Sequence, residues 1–143
     1  MNDNAKTTNA NIIPALRYKD AAEAIEWLCK AFGFEKHLVV SGENGAIEHA
    51  QLAFGNGMIM IGNVRDDEFG RLQQSPTALR GVNSQSAYVI VDDADEHYAR
   101  AVAAGAKVVY AIRDQDYGGR GYSCLDLEGC LWSFGTYDPW TQS

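Results

Sequence analysis

The sequence predicts an α+β fold made of two tandem βαβββ modules. Its 143 residues, of which 46% are hydrophobic, are enough for one compact domain with its own core. The same order of strand and helix patterns occurs twice along the chain. The two helix patterns, from Asp20 to Gly33 and from Asp92 to Gly105, are equally long. An internal duplication is the simplest explanation of this repeat.

The first module is expected over residues 12–62 and opens with a strand, Ile12–Tyr18. Its helix begins after Asp20, a favourable N-cap residue, and Glu23 stands three residues later as in a capping box. Gly33 ends this helix. Three strands follow, separated by the turn sequences SGENG and GNG: Phe34–Val40, Ala46–Phe54 and Met58–Ile61.

Residues 63–85 are rich in charge, Gly and turn formers, which predicts a linker arm between the modules. The second module, residues 86–136, begins with the strand Ser86–Val91, and Asp92 or Asp93 caps its helix. Three strands complete it, in the segments AKVVYAI, RGYSCLD and CLWSFGT. The remaining residues form a polar N-terminal tail, 1–11, and a C-terminal tail, 137–143.

The charge balance and the cysteines exclude several classes of protein. With 12 Lys and Arg against 19 Asp and Glu, the net charge of −7 is opposite to what a nucleic-acid partner requires. The three cysteines are an odd number without CxxC spacing, which is typical of reduced thiols. No segment has the apolar length of a signal peptide or a membrane span, so a cytoplasmic protein without a membrane partner is expected.

The segment YGGRGYSCLDLEGCLWSFGT carries a resemblance to a known family. It is similar to the YGxRxxxxxDPxGxxWxF ending of the vicinal oxygen chelate superfamily, which includes glyoxalase I, extradiol dioxygenases and bleomycin-resistance proteins, in its glyoxalase-like subgroup. Leu127 replaces the proline of that pattern. The resemblance implies curved mixed sheets around a cavity. The matching residues are Gly118, Arg120, Asp126, Gly129, Trp132 and Phe134.

The resemblance also implies where metal ligands would stand. In metal-dependent members, one ligand lies on the first strand and one on the last strand of each module. These positions correspond to Ile13, Met60 (Ile61 if the register shifts by one), Ser86 and Ser133. None of these side chains is an imidazole, carboxylate or thiolate, so we expect no bound metal. The sequence has no P-loop or dinucleotide-binding fingerprint, so no other cofactor is expected.

Other residues offer only weak catalytic candidates. Glu48 and His49 are neighbours on one strand, so at most one faces the cavity, and the sequence does not decide which. His37 and His97 are interpreted as surface histidines because charged residues flank them. The cysteines Cys124 and Cys130 lack a local basic partner and are expected to be buried and unreactive.

Strand alternation instead predicts a cavity with few polar groups, of roughly 300 Å³ or more. Arg120 is the strongest polar candidate, with a structural ion pair to Asp126 or Asp116 as the alternative. Trp132 and Phe134 alternate with the cavity residues and are assigned to the core. The predicted ligand-binding residues are Arg17, Met60, Ser86, Tyr88, Arg120 and Ser133.

These features favour a metal-independent small-molecule-binding protein of the glyoxalase and bleomycin-resistance type that sequesters or accommodates an organic ligand. The alternative is a lyase, isomerase or dioxygenase-like enzyme that uses Glu48, His49 or Tyr88 as acid or base, or displaced metal ligands. A purely structural module is the third possibility. A homodimer is expected, and the tail with Tyr137, Pro139 and Trp140 is either a clasp between the two copies or a cap on the core.

Overall fold

The computed structural model describes residues 9–141, and within them it confirms the α+β fold with two helices and two four-stranded mixed sheets. The helices are α1 (Ala21–Phe32) and α2 (Ala94–Ala103). The strands are β1 (Ala15–Tyr18), β2 (Glu35–Ser41), β3 (Ile47–Phe54), β4 (Gly57–Asn63), β5 (Ala87–Ile90), β6 (Lys107–Asp114), β7 (Arg120–Leu125) and β8 (Leu131–Gly135).

The chain forms two compact units. The first contains the described residues up to Cys29 and then Gly33–Ser75, and the second contains Lys30–Phe32 and Pro76 onward. The predicted linker arm therefore contributes to both units. Gln73 donates a hydrogen bond to the Ala15 carbonyl at 2.8 Å in the first unit. No helix among residues 9–141 is long and apolar enough to cross a membrane.

The first unit has the strand order β1-β4-β3-β2, with β1 parallel to β4 and the other pairs antiparallel. Pro14 shortens the predicted first strand, but its carbonyl still accepts a hydrogen bond from Met60 N at 2.9 Å. Along β4, Ile59 and Ile61 are buried, whereas Met60 between them is half-buried. Met60, rather than Ile61, therefore points away from the buried face, as the first of the two predicted registers requires.

Helix α1 has the predicted ends. The Asp20 carboxylate accepts a hydrogen bond from Glu23 N at 3.1 Å, which caps the first turn. Gly33 ends the helix in the left-handed conformation, with φ of 89°. Ala24 and Leu28, four residues apart on one face of the helix, are fully buried.

The second unit repeats this topology with the strand order β5-β8-β7-β6, again with one parallel pair, β5 with β8. Helix α2 packs against β6, β7 and β8. Asp93, not Asp92, is its N-cap residue, because the Asp93 carboxylate accepts from Glu96 N at 3.1 Å.

Aromatic rings form the core of the second unit. Trp132 and Phe134 are each 1% exposed, which confirms their predicted place in the core. Phe32, from the end of α1, packs against Phe134 with ring centroids 4.6 Å apart. The ring of His97 lies 4.3 Å from the same phenylalanine.

The prediction that His97 lies at the surface is wrong. The residue is 6% exposed, and its Nδ1 and Nε2 lie 2.7 Å from the Tyr122 hydroxyl and 2.8 Å from the Phe32 carbonyl. A carbonyl only accepts, so Nε2 carries the proton and Nδ1 accepts from Tyr122. Burial lowers the pKa of His97. The helical spacing of the buried residues Ala94, His97 and Ala101 could have revealed this face.

Candidate functional site

A cavity of about 210 Å³ opens on the side of the second sheet that faces away from α2, and residues of the second unit alone line it. Its most exposed walls are aromatic, since Tyr110 and Tyr117 are each 60% exposed. The cavity is smaller than the roughly 300 Å³ expected from the sequence, although apolar cavities of about 150 Å³ bind benzene.

The cavity arises from the order of side-chain sizes across the sheet. One row of paired residues, which we call the tyrosine row, crosses all four strands in the order Tyr88, Ser133, Ser123 and Tyr110. The two central serines form a low floor, and their hydroxyl oxygens are 2.7 Å apart. The two tyrosines on the edge strands rise on either side of that floor.

The next row deepens the same floor. Gly121 and Gly135 are paired on β7 and β8, and both line the cavity. A Cβ at Gly135 would lie 2.9 Å from the Tyr88 hydroxyl oxygen, and one at Gly121 would lie 2.6 Å from the Phe134 carbonyl oxygen. Side chains at these two positions would therefore displace the wall or the backbone.

A bulge in β6 brings two functional side chains to one face. Tyr110 pairs with Ser123 and Arg113 pairs with Gly121, so three residue steps on β6 match two on β7. In a regular strand, residues three apart point to opposite faces. The irregularity therefore places both Tyr110 and Arg113 at the cavity, where the guanidinium carbon lies 5.6 Å from the ring centroid.

The tyrosines hold one another in place. The Tyr88 hydroxyl donates to the Tyr137 carbonyl at 2.7 Å, and the rings of Tyr117 and Tyr137 meet edge to face with centroids 4.9 Å apart. Burial, followed by the nearby Tyr117 and Asp138, raises the pKa of Tyr88. Tyr88 therefore keeps its proton as a donor, which makes it a poor general base.

Two arginines are among the residues that line the cavity, but their side chains lie on opposite faces of the sheet. The Arg120 side chain is ion-paired, with Nε 3.0 Å from Asp95 and Nη1 3.2 Å from Asp114. The structural alternative predicted for Arg120 thus involves Asp95 and Asp114 instead of Asp126 or Asp116. Its pairing with the first turn of α2 follows from alternation, because Tyr122 two residues later is buried on the helix side. Arg113 has no ion pair within residues 9–141.

The structure distributes the six sequence-predicted ligand-binding residues over both units. Tyr88, Arg120 and Ser133 line the cavity of the second unit. Ser86 is exposed just before β5 and does not line it. Arg17 and Met60 belong to the first unit. Ligand binding by these residues stays a prediction.

Arg17 is held within its own unit. Its guanidinium carbon lies 5.2 Å from the ring centroid of Phe69, and Nη1 donates to the Asn63 carbonyl at 3.3 Å. Gly62 leaves room for this group, because a Cβ there would lie 2.4 Å from Nη1. Burial lowers the pKa of Arg17, and the nearby Arg65 lowers it further.

Sequence reasoning missed most of the cavity residues, among them Tyr110, Arg113, Tyr117 and Tyr137. The bulge hides the first two, because alternation assigns them to opposite faces. Tyr117 lies in the turn before β7, and Tyr137 follows β8. The sequence predicts a place for Tyr137 in the C-terminal tail, and in the structure its ring and carbonyl contact Tyr117 and Tyr88.

The residues at the family's metal-ligand positions do not fit a divalent metal. Ile13 and Met60 offer no hard donor, and the Ser133 hydroxyl is hydrogen-bonded to another serine. Ser86 is exposed. Elsewhere among residues 9–141, no three His, Cys, Asp or Glu side chains come close enough to hold a metal ion.

The other catalytic candidates are not grouped. Glu48 is exposed, and His49 places Nε2 3.0 Å from the Gln51 amide nitrogen. Burial raises the pKa of Cys124 to about 12, which keeps it a thiol. None of these three residues lines the cavity of the second unit.

Comparison with known proteins places this fold and motif in a family. The family model described as Glyoxalase/Bleomycin resistance protein/Dioxygenase superfamily matches residues 12–134. An uncharacterized protein of Mycobacterium bovis is 34% identical over 122 residues, covering 85% of this chain and 80% of that protein. The crystal structure of TioX from Micromonospora sp. ML1 is 32% identical, with a TM-score of 0.69, covering 89% of this chain and 98% of that one.

A glyoxalase/bleomycin resistance protein from Streptomyces sp. CB03234 shares the fold with a TM-score of 0.64 at 16% identity, covering 88% of this chain and 99% of that one. The match to the family model spans nearly the whole described chain. The chain belongs to the glyoxalase/bleomycin resistance protein/dioxygenase superfamily.

Proposed function

We propose that this protein binds an organic small molecule in the cavity of the second unit, without a metal ion, and thereby sequesters or accommodates it. The observation that carries the proposal is the tyrosine row with its floor of small residues. Concave sites with apolar and aromatic walls and a few placed polar groups are typical of ligand-binding proteins.

The walls favour a ligand with a flat ring. Tyr88, Tyr110, Tyr117 and Tyr137 surround the floor, and aromatic rings stack or meet edge to face with a planar partner. The Ser133–Ser123 pair offers hydroxyl groups at the base. The raised pKa of Tyr88 makes this tyrosine a poor base for acid–base catalysis. Binding is therefore favoured over catalysis.

Titration calorimetry with 2-naphthoate and, separately, 2-naphthamide tests the proposal, with the Tm measured alongside. We expect at least one probe to bind the wild type and raise its Tm. In Ser133→Trp, the new indole fills the floor, so both binding and thermal stabilisation should disappear. Ser84→Trp, on an exposed bend away from the cavity, is the matched control and should bind like the wild type.

The opposite pattern would refute the proposal. If Ser133→Trp folds cooperatively and still binds a probe as the wild type does, the ligand site lies elsewhere. If neither probe binds the wild type, the cavity does not accept planar rings.

A cytoplasmic homodimer that works without a metal completes the proposal. The odd number of cysteines supports a reducing compartment. The exposed Trp140, which is 89% accessible, and the apolar edge residues Val39 and Val109, which are 40% and 46% exposed, support association with a second copy. The four residues at the family's metal-ligand positions, Ile13, Met60, Ser86 and Ser133, are poor ligands for a divalent metal, which supports metal independence.

A further inference from the structure

We propose that the cavity selects planar aromatic ligands that carry an anionic group, and that Arg113 binds this group. The inference rests on the proposed function and names the ligand class of the same site. It follows from the position, the partners and the surroundings of Arg113.

The bulge of β6 directs Arg113 to the cavity wall beside Tyr110. The guanidinium lies over the Tyr110 ring, 5.6 Å from its centroid, which restrains the side chain without neutralising its charge. An arginine fork matches a carboxylate in a bidentate geometry. Arg113 therefore presents free donors next to an aromatic surface.

The other arginine among the lining residues, Arg120, is already paired with carboxylates. Arg120 pairs with Asp95 and Asp114, so the carboxylate that follows Arg113 in sequence is held by another cation. Within residues 9–141, Arg113 is the cavity arginine without a carboxylate partner.

The position of Arg113 on the edge strand β6 fixes the orientation of the ligand. An anionic group is attracted to this guanidinium, at the β6 side of the cavity. The ring then lies over Ser133 and Ser123 toward Tyr88, with the anion at Arg113.

Binding of three probes tests this inference: 2-naphthoate, its neutral analogue 2-naphthamide, and cyclohexanecarboxylate, which has the anion without the flat ring. We expect the wild type to bind 2-naphthoate about tenfold or more tightly than either of the others, as a charge-assisted hydrogen bond predicts. Arg113→Gln should bring the ratio of naphthoate to naphthamide affinity close to one, and Arg113→Lys should keep part of the preference.

Lys107→Gln is the matched control, because it removes one exposed positive charge from the same strand away from the cavity. It should leave the ratio unchanged. Equal or tighter binding of 2-naphthamide by the wild type would overturn the inference and leave the proposed function standing. So would an unchanged ratio in Arg113→Gln. If neither 2-naphthoate nor 2-naphthamide binds the wild type, both this inference and the proposed function are refuted.

Discussion

The turn between β7 and β8 offers a sharp test of how the family motif acts. Asp126 is 6% exposed, and its carboxylate accepts three hydrogen bonds. The donors are Glu128 N at 3.0 Å, Cys130 N at 2.9 Å and Trp132 Nε1 at 3.0 Å. This aspartate therefore joins the turn to the core, and we predict that its replacement destabilises the fold without affecting a reactive centre.

The geometry gives different costs for two substitutions. Asp126→Ala leaves two donors of buried residues, Cys130 N and Trp132 Nε1, without this acceptor, which costs about 2–5 kcal/mol of unfolding free energy. Asp126→Asn keeps an oxygen at the Oδ1 position for the two backbone donors, but its amide then faces the indole N–H. That single mismatch costs about 1–3 kcal/mol.

Urea unfolding measures these losses of unfolding free energy. It compares Asp126→Ala, Asp126→Asn, Trp132→Phe and the double variant that combines Asp126→Asn with Trp132→Phe. We expect the asparagine penalty to shrink by about 1 kcal/mol or more in the Trp132→Phe background, because the opposing indole donor is gone. A cost below about 1 kcal/mol for Asp126→Ala, or an asparagine penalty that does not depend on Trp132, would refute this reasoning.

Three further predictions concern pH, metal and assembly. Burial lowers the pKa of His97, so the unfolded chain binds this proton first and stability should fall as the pH drops below about 6.5. Urea unfolding at about pH 7.5 and about pH 5.5 should show that His97→Gln loses less unfolding free energy between the two pH values than the wild type does. An equal loss in both proteins would contradict this prediction. Elemental analysis of desalted protein should find no stoichiometric divalent metal, and one retained equivalent would overturn the mapping of Met60 and Ser133 to ligand positions. Light scattering should give about twice 15.7 kDa, and a monomer mass at micromolar concentration would exclude the homodimer.

Much of the fold follows from local sequence rules. Asp20 and Gly33 define the ends of α1 because a side-chain cap and a left-handed glycine act within one turn of chain. Strand ends were less predictable: β1 begins at Ala15 instead of Ile12, because Pro14 lacks the N–H for another pairing. In α2, two adjacent aspartates could each serve as the cap, and only the backbone decides for Asp93.

The candidate site was less predictable because it depends on departures from regularity. Alternation correctly assigns Trp132 to the core and Ser133 to the other face. It fails beyond the bulge of β6, where Arg113 changes faces. The charged neighbours of His97 indicated a surface position. A histidine with two hydrogen-bond partners can nevertheless lie on the buried face of a helix, as His97 does.

The duplication explains why the described cavity belongs to the second unit. The row of the first sheet that corresponds to the tyrosine row has the order Ala15, Met60, Gln51 and Leu38. Large side chains occupy its two central strands and the smallest stands at an edge, so this row has no low floor like the serine pair of the second sheet. Both outer strands carry a bulge at the corresponding place, between Lys36 and Leu38 in β2 and between Val108 and Tyr110 in β6. The irregularity that brings Arg113 to the cavity follows Tyr110 and is not shared, because between Val40 and Ser41 one step on β2 matches two on β3. The side-chain sizes and this second irregularity therefore distinguish the two sheets.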